Sequence, residues 1–157
     1  GETLEKNRPT ERTVFTMDRA IQPLEGLIVT EKNNSFFRAA EKKGAFSLKV
    51  QPKGATFHLD LLIRLRLCTN LQEVRIGMEI EERIVLAYDV KVQKAQKGRW
   101  ITIDIPYEDL VCVQGGGTIR QKDRITVLSA AGNQREVFGD ERGFILVDDL
   151  QLVERNP

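Results

Sequence analysis

The chain has 157 residues, of which 24 are Lys or Arg, 23 are Asp or Glu, and 41% are hydrophobic. This length predicts one domain with a core of its own. The net charge of +1 disfavours nucleic acid as a partner, because phosphate binding requires an excess of basic side chains on one surface. The ordinary apolar fraction predicts neither disorder nor a transmembrane segment. One His and two Cys are too few for a His-rich or all-Cys zinc site.

The first twelve residues are mostly charged or polar, and Leu4 is their single large apolar side chain. A segment of this composition has too little apolar surface to bury. We therefore expect residues 1–12 to form a flexible N-terminal tail and residues 13–157 to form a single domain.

From Val14 onward, apolar and polar residues alternate in short runs, as is typical of strands with one face on a core and the other in water. Gly, Pro and Asn clusters separate the runs, and helical spacing persists for only about one turn, at 107–111. The sequence therefore predicts an all-β fold, an antiparallel β-sandwich or barrel of about ten strands. The runs lie at 14–18, 26–30, 35–40, 45–51, 58–68, 74–81, 84–92, 100–105, 125–129, 135–138 and 144–153.

The alternation also predicts which side chains face the core. In the run 58–68, the odd positions from Leu59 to Leu67 are expected to point inward and the even positions to point into water. Tyr88 shares its parity with Leu86 and is expected to be a core residue.

Three segments resemble strands of galactose-binding-like jelly rolls, the fold of many carbohydrate-binding modules. Residues 44–50 resemble their G-x-x-S-L-K-V strand, residues 98–106 their G-x-W-x-x-x-x-I-P strand, and residues 144–152 their terminal I-D-D-V-x-L strand. The order is that of the family, and the resemblance spans residues 14–154. It implies an antiparallel β-sandwich with jelly-roll topology. It further implies a non-catalytic module that binds carbohydrate within a larger exported system, extracellular or periplasmic.

Asp148 lies on the same parity as Leu150 and Leu152, so the alternation directs a carboxylate toward an apolar layer. Such a carboxylate needs hydrogen bonds, an opposite charge or a metal ion. Three interpretations stay open: backbone N–H groups of a neighbouring loop, a salt bridge to Arg or Lys, or a structural calcium ion held by oxygen ligands. The resemblance implies that the calcium ligands are Asp18, Asp148 and carbonyl groups near 42–44, where two lysines oppose a cation.

The water-facing side of the run 58–68 is the best polar surface for a ligand. If the runs 74–81 and 100–105 lie beside it, Arg and carboxylate groups converge there on sugar hydroxyls or on an acidic sugar, with Trp100 as a stacking platform. The alternative is a solvated face with cross-strand ion pairs, in which Trp100 covers an end of the sandwich. The candidate ligand-binding residues are Arg64, Arg66, Glu79, Trp100 and Asp104.

No residues assemble a nucleophile, a base and an oxyanion donor, so we expect the protein not to be an enzyme. A hydrolase or lyase that uses His58 with Arg64 or Tyr107 is the least favoured function. The main alternative to carbohydrate binding is a protein-interaction or cell-envelope structural domain without a small ligand, which the aromatic content of 6% favours. Other domains or proteins are possible partners. Cys68 and Cys112 form either one disulfide or two buried free thiols.

Overall fold

A computed structural model of the protein describes residues 10–17 and 21–156. Twelve strands in this part of the chain form two six-stranded sheets, and every strand pair is antiparallel. The described helices are three short 3-10 turns, and none of them is long and apolar enough to cross a membrane. The predicted all-β antiparallel sandwich is therefore confirmed.

Sheet A has the order β2-β3-β12-β6-β9, with β1 also paired to β12, and sheet B has the order β10-β8-β7-β11-β5-β4. The bounds of the strands are β1 Glu11–Thr16, β2 Leu27–Glu31, β3 Asn34–Arg38, β4 Ala40–Lys42, β5 Ala45–Val50, β6 Leu61–Thr69, β7 Glu73–Ile80, β8 Ile84–Lys91, β9 Ile101–Pro106, β10 Val111–Gly115, β11 Ile125–Asn133 and β12 Ile145–Arg155.

The core lies between the sheets and uses the side chains that the alternation selects. In β6, the odd positions from Leu61 to Leu67 are buried in it, and in β7 the even positions from Val74 to Ile80. Full burial of one such side chain stabilises the fold by about 1.5–3 kcal/mol. Leu59, however, is 58% exposed, because β6 begins only at Leu61. Tyr88 is 39% exposed; β10 begins opposite Ala87, so no residue of β10 pairs with Tyr88.

A β-bulge in β12 changes the expected orientation of Asp148. The register with β6 shifts after Asp148, where Asp149 adopts a φ of 51°. Core-facing side chains therefore occupy odd positions up to Val147 and even positions from Leu150 onward. Asp148 lies opposite Arg66 on the outer face of sheet A, so the expectation that it faces the apolar layer is wrong. A residue inserted by a bulge interrupts the alternation on which that expectation rests.

Of the two runs considered as neighbours of β6, one pairs with it and the other does not. β9 lies beside β6, with Asp104 directly opposite Arg64. The strand β7 lies in the other sheet, between β8 and β11, so the expected pairing of runs 58–68 and 74–81 is wrong. The connection 70–72 crosses from one sheet to the other. The alternation of apolar and polar residues in β7 fits either sheet, so it does not predict which sheet the strand joins.

The chain ends and cysteines complete this description. β1 begins at Glu11 and pairs with β12, so the last two residues of the expected tail belong to a strand; residues 1–9 lie outside the described part. Cys68 and Cys112 are both free. Cys68 is buried, as one interpretation expected, whereas Cys112 is exposed because β10 is an edge strand.

Candidate functional site

The outer face of sheet A holds an arginine that joins three strands. Arg64 of β6 donates from Nε and Nη2 to the two carboxylate oxygens of Asp104, at 2.8 and 3.0 Å. It also donates from Nη1 and Nη2 to Glu11 of β1, at 2.9 and 3.1 Å. The hydrogen bonds to Asp104 and then to Glu11 raise the pKa of Arg64. The hydrogen bond from Arg64 is also the main reason that the pKa of Glu11 is lowered.

Arg66 and Trp100 form a second group on this face. The guanidinium carbon of Arg66 lies 5.2 Å from the ring centroid of Trp100, which is a cation–π distance. The ring of Trp100 also makes an edge-to-face contact with the buried Phe36, with centroids 5.7 Å apart. These contacts hold the Trp100 ring, half-buried, against the sheet. Sheet A therefore brings Arg64, Arg66, Trp100 and Asp104 to one surface, as expected.

Asp148 lies next to Arg66 in a partly dehydrated position. Its side chain is 17% exposed and lies 4.0 Å from Arg66, and its Oδ1 accepts a hydrogen bond from the backbone N–H of Asp149 at 2.9 Å. Desolvation raises the pKa of Asp148 above its ordinary value. The partners of Asp148 in the described structure are thus a backbone N–H group and, at longer range, an arginine.

The described part of the expected calcium site contains a single carboxylate. Asp18 lies outside the described residues. Its neighbour Met17 donates its backbone N–H to the carbonyl of Leu150 at 2.9 Å, two residues beyond Asp148. The carbonyl of Gly44 accepts a hydrogen bond from the backbone N–H of Gln134 at 2.8 Å. Within 10–17 and 21–156, no three His, Cys, Asp or Glu side chains converge in a possible metal site. These residues alone do not form a calcium site, and the ion stays a prediction.

The outer face of sheet B combines small residues with a row of ion pairs. Ala87, Gly77 and Ser129 lie side by side on β8, β7 and β11. In the next row, Arg75 donates from Nε and Nη2 to Asp89, at 2.7 and 3.0 Å. The hydrogen bond between them raises the pKa of Arg75 and lowers that of Asp89. The Arg75–Asp89 ion pair thus lies next to a row of small residues on the outer face of sheet B.

Beside this pair, the sheet and a 3-10 turn border an open, shallow depression of about 440 Å³, a volume within the range of ligand sites. Its floor includes Ala131 and the backbone of Gly132, where a Cβ would collide with the Leu71 side chain of the core. On the far side, Asn133 begins the turn and its side-chain oxygen accepts from the backbone N–H of Arg135 at 2.9 Å. The charged lining residues are Glu73, Arg75, Asp89, Arg135 and Glu136.

Glu79 does not join the other candidate residues. It lies on the outer face of sheet B, where its Oε1 accepts a hydrogen bond from the Thr126 hydroxyl at 2.9 Å. The two sheets and the core therefore separate Glu79 from Arg64, and the expected common surface does not include it. The depression contains none of the residues expected to bind a ligand. The outward parity of Arg75 and Asp89 was visible in the sequence, but the pairing that brings them together was not.

The fold is similar to that of solved carbohydrate-binding modules. A family 11 module of the cellulosomal cellulase Lic26A-Cel5E of Clostridium thermocellum matches with a TM-score of 0.58 and 14% identity, over 95% of this chain and 90% of that one. A mutant family 29 module matches with a TM-score of 0.56 and 10% identity, over 94% and 93%. The chain has the jelly-roll fold of these modules. The predicted topology is therefore confirmed.

The same fold occurs within a larger enzyme. The agarase AgWH50C matches with a TM-score of 0.57 and 8% identity, over 95% of this chain and 25% of the agarase chain. No family model and no curated protein matches the sequence. At identities of this size, the similarity concerns the fold.

Proposed function

We propose that this domain is a non-catalytic carbohydrate-binding module that binds a neutral glycan in the depression on sheet B. The observation that carries the proposal is the Arg75–Asp89 pair at the wall of that depression. The fold supports it, because the similar solved structures include family 11 and family 29 carbohydrate-binding modules. Mutants of the family 29 module that probe ligand recognition replace an Arg, a Lys or an Asp by Ala, which are residue types also found around this depression.

The Arg75–Asp89 pair keeps hydrogen-bonding capacity for a ligand. Arg75 uses two of its five N–H groups on Asp89, so three N–H groups remain for a ligand. Asn133 accepts through its side-chain oxygen, while the described residues leave its amide N–H groups unused. A sugar hydroxyl both donates and accepts, so this mixture of groups matches it.

The charge of the depression supports a neutral ligand. Arg75 and Arg135 face three carboxylates, and Lys91 lies 2.6 Å from one of these, Glu73. The three cationic and three anionic groups balance, so an acidic sugar gains no net attraction. Among the described residues, no aromatic ring lines the depression, and without ring stacking we expect weak binding, with a dissociation constant of about 0.1–1 mM.

The test is a glycan array at high protein concentration, followed by calorimetric titration with the neutral glycans that bind. One starting probe is the β-1,3-1,4-mixed-linked tetrasaccharide found in complex with a family 11 module, and polygalacturonate is the acidic control. We expect binding to at least one neutral glycan and none to polygalacturonate. A chain that binds no neutral glycan contradicts the proposal.

The outer face of sheet A is a second location for the same function. Arg66 makes no hydrogen bond within the described part of the chain and is 42% exposed, so its N–H groups are available beside Trp100. Arg64 and Asp104 are hydrogen-bonded to each other. Substitution of Arg66 by Ala therefore separates the two locations: it weakens glycan binding only if the ligand lies on sheet A.

The calcium ion predicted at Asp148 is part of the proposal as a structural cofactor. If calcium is bound, its removal by a chelator lowers the midpoint of thermal unfolding, because a ligand that binds only the folded state stabilises it. The matched variant is Asp148→Asn, in which calcium and chelator give the same midpoint. An unchanged midpoint in the wild-type protein counts against the ion.

A further inference from the structure

Strand β10 is an edge strand with an apolar, uncharged surface. It pairs with β8 on one side only. Val111 is 64% exposed, Val113 is 44% exposed, and Cys112 between them is exposed as well. No charged residue occurs from 110 to 119. The other edge strands in the described structure, β1, β2, β4 and β9, each contain at least one Asp, Glu, Lys or Arg.

Charged side chains on an edge strand normally prevent it from pairing with another chain. β10 itself has no charged side chain and one bulge, between Cys112 and Gln114; the Arg83 guanidinium binds the carbonyl groups of Gly116 and Thr118 just beyond the end of the strand. An exposed apolar edge without charges is therefore suited to accept a further strand.

We propose that β10 pairs in antiparallel orientation with β10 of a second copy of this chain. Around a two-fold axis at Cys112, Val111 lies opposite Val113 of the partner subunit, and Cys112 lies opposite Cys112 of the partner subunit. A charged residue close to the axis would lie near its own copy and repel it, and β10 contains none. The pairing joins two sheets B into one continuous sheet of twelve strands.

This dimer leaves the proposed sugar site open. The residues that line the depression belong to β7, β8, β11 and the following turn, and none belongs to β10. A dimer presents two such sites on one continuous sheet, which raises the apparent affinity for a polymer with repeated units. The pairing and the sugar site are independent, so either one can fail without the other.

Cys112 provides a direct reporter of the pairing. Directly opposite residues in an antiparallel pair have Cα atoms about 4.5–5.5 Å apart, within the reach of a disulfide. With added diamide, two Cys112 thiols lose two protons and two electrons to form one S–S bond, and the diazene N=N is reduced to the hydrazine. The buried Cys68 is protected. We expect a covalent dimer on a non-reducing gel and none from the Cys112→Ser variant.

The decisive variant carries Val111→Lys and Val113→Lys and keeps Cys112. We expect its rate of cross-linking to fall at least tenfold, because the lysines introduce like charges into the two-fold contact. Leu59→Lys, at a residue that is 58% exposed and outside the strands, should cross-link at the wild-type rate. If the double variant cross-links as fast as the wild type, the thiols meet by random collision and the proposal is wrong.

A measurement without oxidant completes the test. In sedimentation velocity, the average mass of the wild-type protein should rise with concentration toward that of a dimer, and the double lysine variant should stay a monomer. A wild-type protein that is monomeric at every concentration up to its solubility limit overturns the proposal.

Discussion

The outer faces of the two sheets both contain an arginine bound by a carboxylate of the neighbouring strand, but the arginines are engaged to different extents. Arg64 on sheet A uses four of its five N–H groups on Asp104 and Glu11. Arg75 on sheet B uses two, and it borders a depression. A guanidinium that gives most of its N–H groups to carboxylates joins strands, whereas one with three unused donors beside a depression is available to a ligand.

The largest difference between the faces is expected in ligand binding. Arg75→Ala removes charge-assisted hydrogen bonds, which contribute about 1.5–3 kcal/mol each, so the affinity for a neutral glycan should fall at least about tenfold in calorimetric titration. The matched control is Arg124→Ala, which removes another arginine bound through two N–H groups to a carboxylate, that of Glu81, outside the depression. Equal losses in the two variants would show that Arg75 has no particular role.

The next difference is expected in stability. Arg64→Ala separates β1 and β9 from β6 at this point and leaves two carboxylates near each other. We expect the free energy of unfolding to fall by about 1 kcal/mol, or the melting midpoint by about 2–4 °C, with glycan affinity unchanged. Chemical denaturation of Arg64→Ala and Arg75→Ala in parallel provides the measurement. A larger loss in Arg75→Ala would reverse the proposed roles.

A smaller effect concerns the single Trp of the chain. Trp100 lies on sheet A, against Arg66 and Phe36, so its fluorescence reports on that face. Saturation with a glycan that binds sheet B should leave the emission maximum unchanged, whereas Arg66→Ala should shift it by exposing the ring. A shift or quenching on glycan binding would place the ligand on sheet A.

The smallest effect is expected in the pH dependence of stability. The hydrogen bond from Arg75 lowers the pKa of Asp89 in the folded protein. The ionised Asp89 therefore stabilises the fold fully above its pKa in the unfolded chain, about 4, and this contribution is lost as the pH falls through its lower pKa in the folded protein. For this surface pair the contribution is below about 1 kcal/mol. The difference in stability between wild type and Asp89→Asn should therefore be present at pH 6 and decrease in acid. A difference that is constant with pH contradicts the pairing.

The sequence predicted the part of the fold that depends on local alternation. The inward positions of β6 and the antiparallel sandwich are confirmed. The jelly-roll topology is confirmed as well, but the family resemblance implied it and the alternation did not. The alternation did not predict the orientation of Asp148, because the inserted residue at Asp149 shifts the parity within one strand. It did not assign β7 to a sheet either, since a strand with one apolar face fits equally well into both.

The same limit explains the candidate site. Arg64 and Asp104 come together because the two strands that were expected to lie side by side do pair, with Asp104 directly opposite Arg64. The depression requires β7, β8 and β11 to lie side by side and Asn133 to begin a turn. These contacts join residues far apart in the chain, and the alternation within one strand does not predict which strand pairs with it.

The most direct test of carbohydrate binding at sheet B is an amide ¹H–¹⁵N NMR titration of the wild-type protein. The probe is the mixed-linked tetrasaccharide, or the neutral glycan that the array selects. We predict that the resonances that shift belong to residues 73–77, 87–91 and 131–136, while those of 64–66 and 100–104 stay in place. Shifts confined to 64–66 and 100–104, or no shifts with any neutral glycan that the array contains, would contradict the account.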